Sequence, residues 1–193
     1  MTQSFPSRLF GAFLLCVAVG LSGCATKTRY GDARGVETVT NQFGSTDLQM
    51  IAESMTRSML NTPLASGETR PIMTVQEVRN KTSEYIDTRA ITDSIRVELQ
   101  KSGRVRFAVD AAAMDQQVEE LKRQQSDYYD AKKSVEVGKM VGAAYRIEGN
   151  ITSIVKEAKG VKDVYYKFSL QVWNVQNGLL EWADEKEIRK TTS

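Results

Sequence analysis

The chain has 193 residues, of which 26 are Lys or Arg and 24 are Asp or Glu, a formal net charge of +2. That length suits one domain with an appendage, and the near-neutral balance argues against a nucleic-acid partner held by counterion release. Histidine is absent, which excludes imidazole general bases, Ser-His or Cys-His nucleophiles and His-ligated metal.

Leu9 to Val19 is uncharged, follows Arg8 and is too short to span a bilayer comfortably, the pattern of a signal-peptide apolar region. Leu21-Ser22-Gly23-Cys24 follows it and resembles a bacterial lipobox, with small residues at the cleavage site and a thiol to accept lipid. Residues 1–23 are expected to be a lipoprotein signal peptide and Cys24 the lipidation site. Cleavage removes Cys16, so no intrachain disulfide remains possible. A diacylglyceryl thioether with an amide-linked chain such as palmitate gains roughly 0.8 kcal/mol per buried CH₂, enough to hold a protein in one leaflet. Ala25 resembles the sorting position of outer-membrane lipoproteins, so the expected address is the periplasmic leaflet of the outer membrane.

Residues 24–44 are polar, with little hydrophobic periodicity, and are expected to form a lipid-anchored tether. Tyr30, Val36, Val39 and Phe43 are spaced as in a strap on a domain surface, so free coil and docked strap both fit. Residues 45–193 are expected to form one globular domain. Thr46-Asp47-Leu48-Gln49 has the form of a capping box, and Leu48, Ile51, Met55 and Met59 give a helix over roughly 46–60, closed by Pro63. After a loop over 63–71, Ile72 to Val78 predicts a covered strand. Asn80-Lys81-Thr82 predicts a polar turn in which Asn80 and Thr82 bond nearby backbone. Asp87 caps a helix carrying Ile91, Ile95 and Leu99 that ends at Gly103, and Val105, Phe107 and Val109 alternate as a strand.

Asp110 caps a third helix with Met114, Val118 and Leu121 on one face and a Glu119–Arg123 pair on the other. A shorter helix is expected around 132–141, ended by Gly142. Three strand-like runs follow, over 144–156, 164–175 and 179–188, and Asn177-Gly178 predicts a type I′ hairpin between the last two. The expected fold class is α/β: a single mixed sheet with helices packed on it, ending in a β-meander.

No constellation predicts catalysis, a metal or a cofactor. Glu119-Glu120 and Asp184-Glu185 are adjacent carboxylates that point apart rather than share one cleft. Gly138-Lys139-Met140-Val141-Gly142 lacks the spacing of a phosphate loop. Polar and aromatic residues in connections, Arg79, Asn80 and Tyr85 after the first strand and Tyr128-Tyr129 before the expected short helix, suit a partner-contact surface. The alternative is that Tyr85 and one of Tyr128 or Tyr129 cover the edge of the core.

The run Arg79-Asn80-Lys81-Thr82-Ser83-Glu84-Tyr85-Ile86-Asp87-Thr88 resembles the V-x-N-x-T-x-E-H-I-D-T signature of LpoB-type lipoproteins, with Tyr85 at the His position. The resemblance continues through Ser102 to Phe107, Gly142 to Ile151, Glu181-Trp182 and Glu187 to Lys190, covering nearly all of residues 24–193 in order. It implies a periplasmic domain similar to the N-terminal domain of TolB, with no enzymatic activity. It also implies an outer-membrane lipoprotein that reaches a class A bifunctional penicillin-binding protein, docks on its regulatory domain between the glycosyltransferase and transpeptidase modules, and stimulates peptidoglycan synthesis. The best-known members carry a long proline-rich segment between lipid and domain. Here about 20 residues without proline intervene, reaching about 70 Å extended or about 25 Å as a coil. The competing reading is a structural or secretion-associated lipoprotein related to the curli pore component; it needs aromatic girdles beside a lipid-facing band, which the last three runs lack.

Overall fold

The structure is a computed structural model that describes residues 28–193. The expected signal peptide and Cys24 lie outside the described residues. Residues 33–193 form one compact unit, and residues 28–32 belong to a separate N-terminal segment that is exposed and without regular structure.

Helix α1 spans Ser45–Leu60 and turns Ile51, Met55 and Met59 into the core. Its capping lies two residues earlier than Thr46 predicts. Gly44 is the N-cap, its amide donates to Asp47 Oδ2 at 2.8 Å, and Thr46 Oγ1 accepts the Glu37 amide instead. Pro63 does not open a loop but begins the short helix α2, Pro63–Ser66, where its missing N–H costs nothing. The strand predicted over 72–78 is shorter, β1, Ile72–Val75, and a second strand, β2, Arg79–Lys81, follows it, so the start of the expected polar turn is itself a strand.

Helix α3, Thr88–Lys101, starts as predicted: Asp87 Oδ1 accepts the amides of Arg89 and Ala90, and Gly103 follows its end with φ +70. Strand β3 contains only Arg106–Phe107. Helix α4, Ala111–Gln124, is capped by Asp110 but has no fully buried residue, so its Met114, Val118 and Leu121 stripe is only half-buried. Arg123 pairs with Glu120, one turn away, rather than with Glu119.

No helix forms over 132–141. Ser134 Oγ donates to the Gln124 carbonyl at 2.7 Å and the Val135 amide donates to Gln124 Oε1, so the segment turns back onto the end of α4. Gly138, at φ +79, accommodates a further change of direction.

The meander is formed by β4, Tyr145–Ala158, β5, Val161–Asn174, and β6, Leu180–Thr192. The mixed sheet has six strands in the order β3-β1-β4-β5-β6, with β2 also parallel to β4. Helices α1 and α3 pack together over the face that presents Ile147, Ile151, Val164, Phe168 and Leu170. Alternate residues face away and are tied by polar contacts: Arg189 to Asp163 at 2.7 Å, Lys167 to Glu185 at 3.3 Å, and the Tyr165 hydroxyl to Glu187 at 2.5 Å. The Glu187 carboxylate beside it pushes the Tyr165 phenol up to about 12. Over these residues the outer face is polar.

The type I′ turn expected at Asn177-Gly178 forms instead at the other hairpin. Lys159 and Gly160 both have positive φ, 50 and 80, between the paired residues Ala158 and Val161, which is the type I′ geometry. At Asn177-Gly178 only Gly178 has positive φ. The Asn174 side chain there accepts the Gln176 and Asn177 amides, which wraps a longer loop closed by Asn174 N donating to Leu179 O at 2.8 Å.

Candidate functional site

The signature segment is a braced loop. Thr82 N and Thr82 Oγ1 both donate to Asn80 Oδ1, at 2.9 and 2.8 Å, and Asn80 Nδ2 donates to Glu84 O at 2.8 Å. The Glu84 amide in turn donates to Thr82 Oγ1 at 3.2 Å. Asn80 and Thr82 therefore bond nearby backbone, as the polar-turn reading expects, and the Asn80 side chain is committed inside the loop. Tyr85 projects from it at 96% exposure, so it does not cover the core; the neighbouring Ile86 does. Arg79, at the start of β2, is also exposed.

The Glu84 carboxylate faces the strap. Oε2 accepts the Phe43 amide at 3.0 Å and Oε1 accepts the Tyr166 hydroxyl at 2.6 Å. Burial, and then the Glu84 carboxylate, raise the Tyr166 pKa well above the usual phenol value. The Phe43 ring meets the Tyr166 ring edge-on at 5.8 Å. Lys190 Nζ completes the clasp, reaching Gln42 O at 2.7 Å and the buried Asp47 carboxylate at 2.5 Å. Residues 33–44 are thus docked, although Val36 and Val39 remain exposed; only Phe43 of the apolar strap positions packs on the core.

Above the loop, the β1–β2 junction holds a bulge. Val75 pairs with Ile147 and Arg79 with Asn150, so the β1–β2 side spends one more residue than β4 over the same span. Val78 turns inward while Gln76 and Glu77 turn out. They line a cleft of about 840 Å³ with Arg79, Arg89, Arg96, Asp110 and Glu148. Arg96 bridges its walls, 2.8 Å from Asp110 and 3.1 Å from Asp93, and its guanidinium stands 6.0 Å from the Phe107 ring centre. Opposite the bulge, a Cβ on Gly149 would lie 2.2 Å from the Ser169 carbonyl oxygen, so the backbone approach requires glycine.

Tyr128 and Tyr129 stand on the loop after α4, at 94% and 45% exposure. Among the described residues, no hydrogen bond or ring contact joins them to the Arg79–Tyr85 segment. The structure therefore brings Arg79, Asn80 and Tyr85 together and leaves the two tyrosines on a separate element.

The reading of isolated residues missed Glu84, Tyr166 and Lys190 as partners of the strap. The available signal was that Glu84 and Lys190 both fall inside the family-like runs. The adjacent carboxylates also separate: Asp184 is on the helix-facing side of β6, and Glu185 is outside, paired with Lys167. Among the described residues there is no group of three or more His, Cys, Asp or Glu side chains able to hold a metal, and no helix is long and apolar enough to cross a membrane.

No curated protein matches the sequence significantly. Among solved structures, the LpoB C-terminal domains from Salmonella enterica and from Escherichia coli are each 17% identical, with a TM-score of 0.45, and cover 74% of this chain and 98% of their own. The NMR structure of E. coli LpoB is 15% identical with a TM-score of 0.43, covering 100% of this chain and 90% of that one. The family model described as peptidoglycan-synthase activator LpoB matches residues 47–188. That span takes in the braced loop, the cleft and the whole meander up to Ile188, and the chain belongs to the LpoB family of peptidoglycan-synthase activators.

Proposed function

We propose that this chain is an outer-membrane lipoprotein, anchored through Cys24 in the periplasmic leaflet, that binds a class A bifunctional penicillin-binding protein on its regulatory domain and stimulates peptidoglycan synthesis. It acts as a binding partner without turnover of its own. Family membership supports the synthase as target. The observation that carries the contact assignment is the braced loop, in which Asn80, Thr82 and Glu84 spend their polar groups internally and hold Arg79 and Tyr85 out to solvent.

A fixed arginine and tyrosine lose little entropy on docking, which suits residues at the centre of an interface. Activation then needs only tighter binding to the active arrangement of the synthase than to the idle one; roughly 1–3 kcal/mol of difference changes the populations by about 5- to 150-fold. Tyr128 and Tyr129 form a second contact area on the α4 loop.

The test mixes the mature chain with a purified class A synthase from the same cell and lipid II, and follows glycan polymerisation and cross-linking. Stimulation by the wild type and its loss in Tyr85→Ala, with an unchanged melting temperature, is the expected result. No stimulation of any class A synthase of that cell rejects the assignment. Anchoring is read separately: Cys24→Ala must leave the membrane fraction after a salt wash.

A further inference from the structure

We infer that the tip of the β4–β5 hairpin rests on the anionic headgroups of the bilayer that holds the lipid anchor, and so sets the orientation of the domain. The inference rests on the lipid-anchored reading above.

On one side the hairpin outruns its neighbour, while on the other β6 pairs with β5 as far as Lys162. Strand β2 stops pairing at Lys81, opposite Thr152, yet β4 continues to Ala158. Beyond that point apolar residues are exposed on both faces: Ile154 at 57%, Val155 at 44% and Val161 at 39%. Lys156, Lys159 and Lys162 alternate with them, and none of the three forms an ion pair among the described residues. Two acids share this tip. Asp163 is ion-paired with Arg189 and hydrogen-bonded by Thr191, which with the charge of Lys156 across the strands hold its carboxyl below the usual range, leaving Glu157 as the other acid among the three lysines. Short apolar side chains beside lysines can sink into the headgroup layer while the ammonium groups stay with lipid phosphates.

The compact unit also begins toward this end. Lys190, which grips Gln42 and Asp47, is paired with Val164, only a few residues from the Lys159-Gly160 turn. Ala33, where the compact unit begins, accepts Gln49 Nε2 at 2.6 Å in the first turns of α1, beside Asp47. From Cys24 to Ala33 the chain reaches at most about 30 Å. A docked strap therefore keeps this end of the domain near the bilayer. Arg79, paired with Asn150, lies about 30 Å along the strand from the turn, clear of the surface.

The test couples the sole thiol of the chain from Cys24 onward, which contains the whole compact unit, to a maleimide-headgroup lipid. Tip contact is then read whether or not the cell lipidates Cys24, and fractionation of Cys24→Ala tests the anchor by itself. Amide hydrogen exchange is compared on phosphatidylethanolamine vesicles containing phosphatidylglycerol, on phosphatidylcholine vesicles and in solution. The expected result is several-fold slower exchange over 155–161 on the anionic vesicles only, reversed by high salt and lost in K156E/K159E/K162E. The single Lys159→Glu, in a solvent-facing turn, must weaken the effect without changing exchange in the core, which separates lost contact from misfolding. Equal exchange in all three settings, or protection that appears only when a synthase is added, overturns the inference.

Discussion

Glu84 accepts hydrogen bonds from two places far apart in the chain, the Phe43 amide and the Tyr166 hydroxyl. Neutral Tyr166 is the form this site favours, because a phenolate would lose that hydrogen bond and face the Glu84 carboxylate. Its folded pKa is raised, so its contribution is complete below the ordinary phenol value near 10 and is lost as pH rises toward the folded pKa. Thermal unfolding followed as a function of pH is expected to show a falling alkaline limb above about pH 10 that is shallower in Tyr166→Phe, where the raised Tyr165 still contributes. At neutral pH the same variant costs about 1 kcal/mol, the size of one hydrogen bond. Gly149 makes the opposite kind of demand, for space instead of polarity. Gly149→Ala sets a methyl against the Ser169 carbonyl in the middle of the sheet and is expected to cost about 1–3 kcal/mol by urea unfolding, with the bulge beside it distorted.

The hairpins show how element-scale rules sort themselves in context. Lys159 occupies positive φ in the type I′ turn, a conformation that asparagine tolerates better than lysine. Lys159→Asn is therefore expected to raise stability by about 0.5 kcal/mol, and Gly160→Ala to lower it by about 1 kcal/mol, both read from urea midpoints. Asn177-Gly178 carries the stronger hairpin signal but forms a different loop, because Asn174 caps the amides ahead of it. Periodicity is sufficient for α1, α3 and the three long strands, since each buries one regular face. It is insufficient where long-range contacts decide. The apolar run that begins at Ile72 cannot reveal a bulge whose cause is pairing with β4, some seventy residues later, and the stretch over 132–141 turns because Gln124 offers its carbonyl and side chain. The same limit applies at the site. Tyr85 and Arg79 are legible as exposed residues of a polar stretch, although Arg79 opens β2, whereas the Glu84–Tyr166 clasp joins residues that no local pattern links.

At the scale of the molecule, the clasp sets how far the domain can stand from the anchor proposed at Cys24. With residues 33–44 docked, the chain from Cys24 to Ala33 extends at most about 30 Å; released to Ser45, it extends about 70 Å. A synthase on the far side of the periplasm would be reached more easily with the strap undone, so the free energy of docking competes with partner binding. The contacts that hold the strap include Phe43 on Tyr166, the Glu84 hydrogen bond, Lys190 on Gln42, Glu37 on Ser45 and Thr46, Tyr166 on Asn41 and Gln49 on Ala33. Phe43→Ala removes the largest apolar contact, at an expected cost of about 2–3 kcal/mol, and leaves the α1, α3 and sheet core intact. Limited proteolysis is expected to cut this variant within 33–44 well before the wild type, while the remaining domain resists equally in both. In the stimulation assay with anchor and synthase held in separate membranes, Phe43→Ala should activate more strongly than the wild type. If both proteins float free in detergent, where reach is irrelevant, the two should activate alike. A variant that activates less in both settings would mean that the docked strap belongs to the contact surface and does not limit its range.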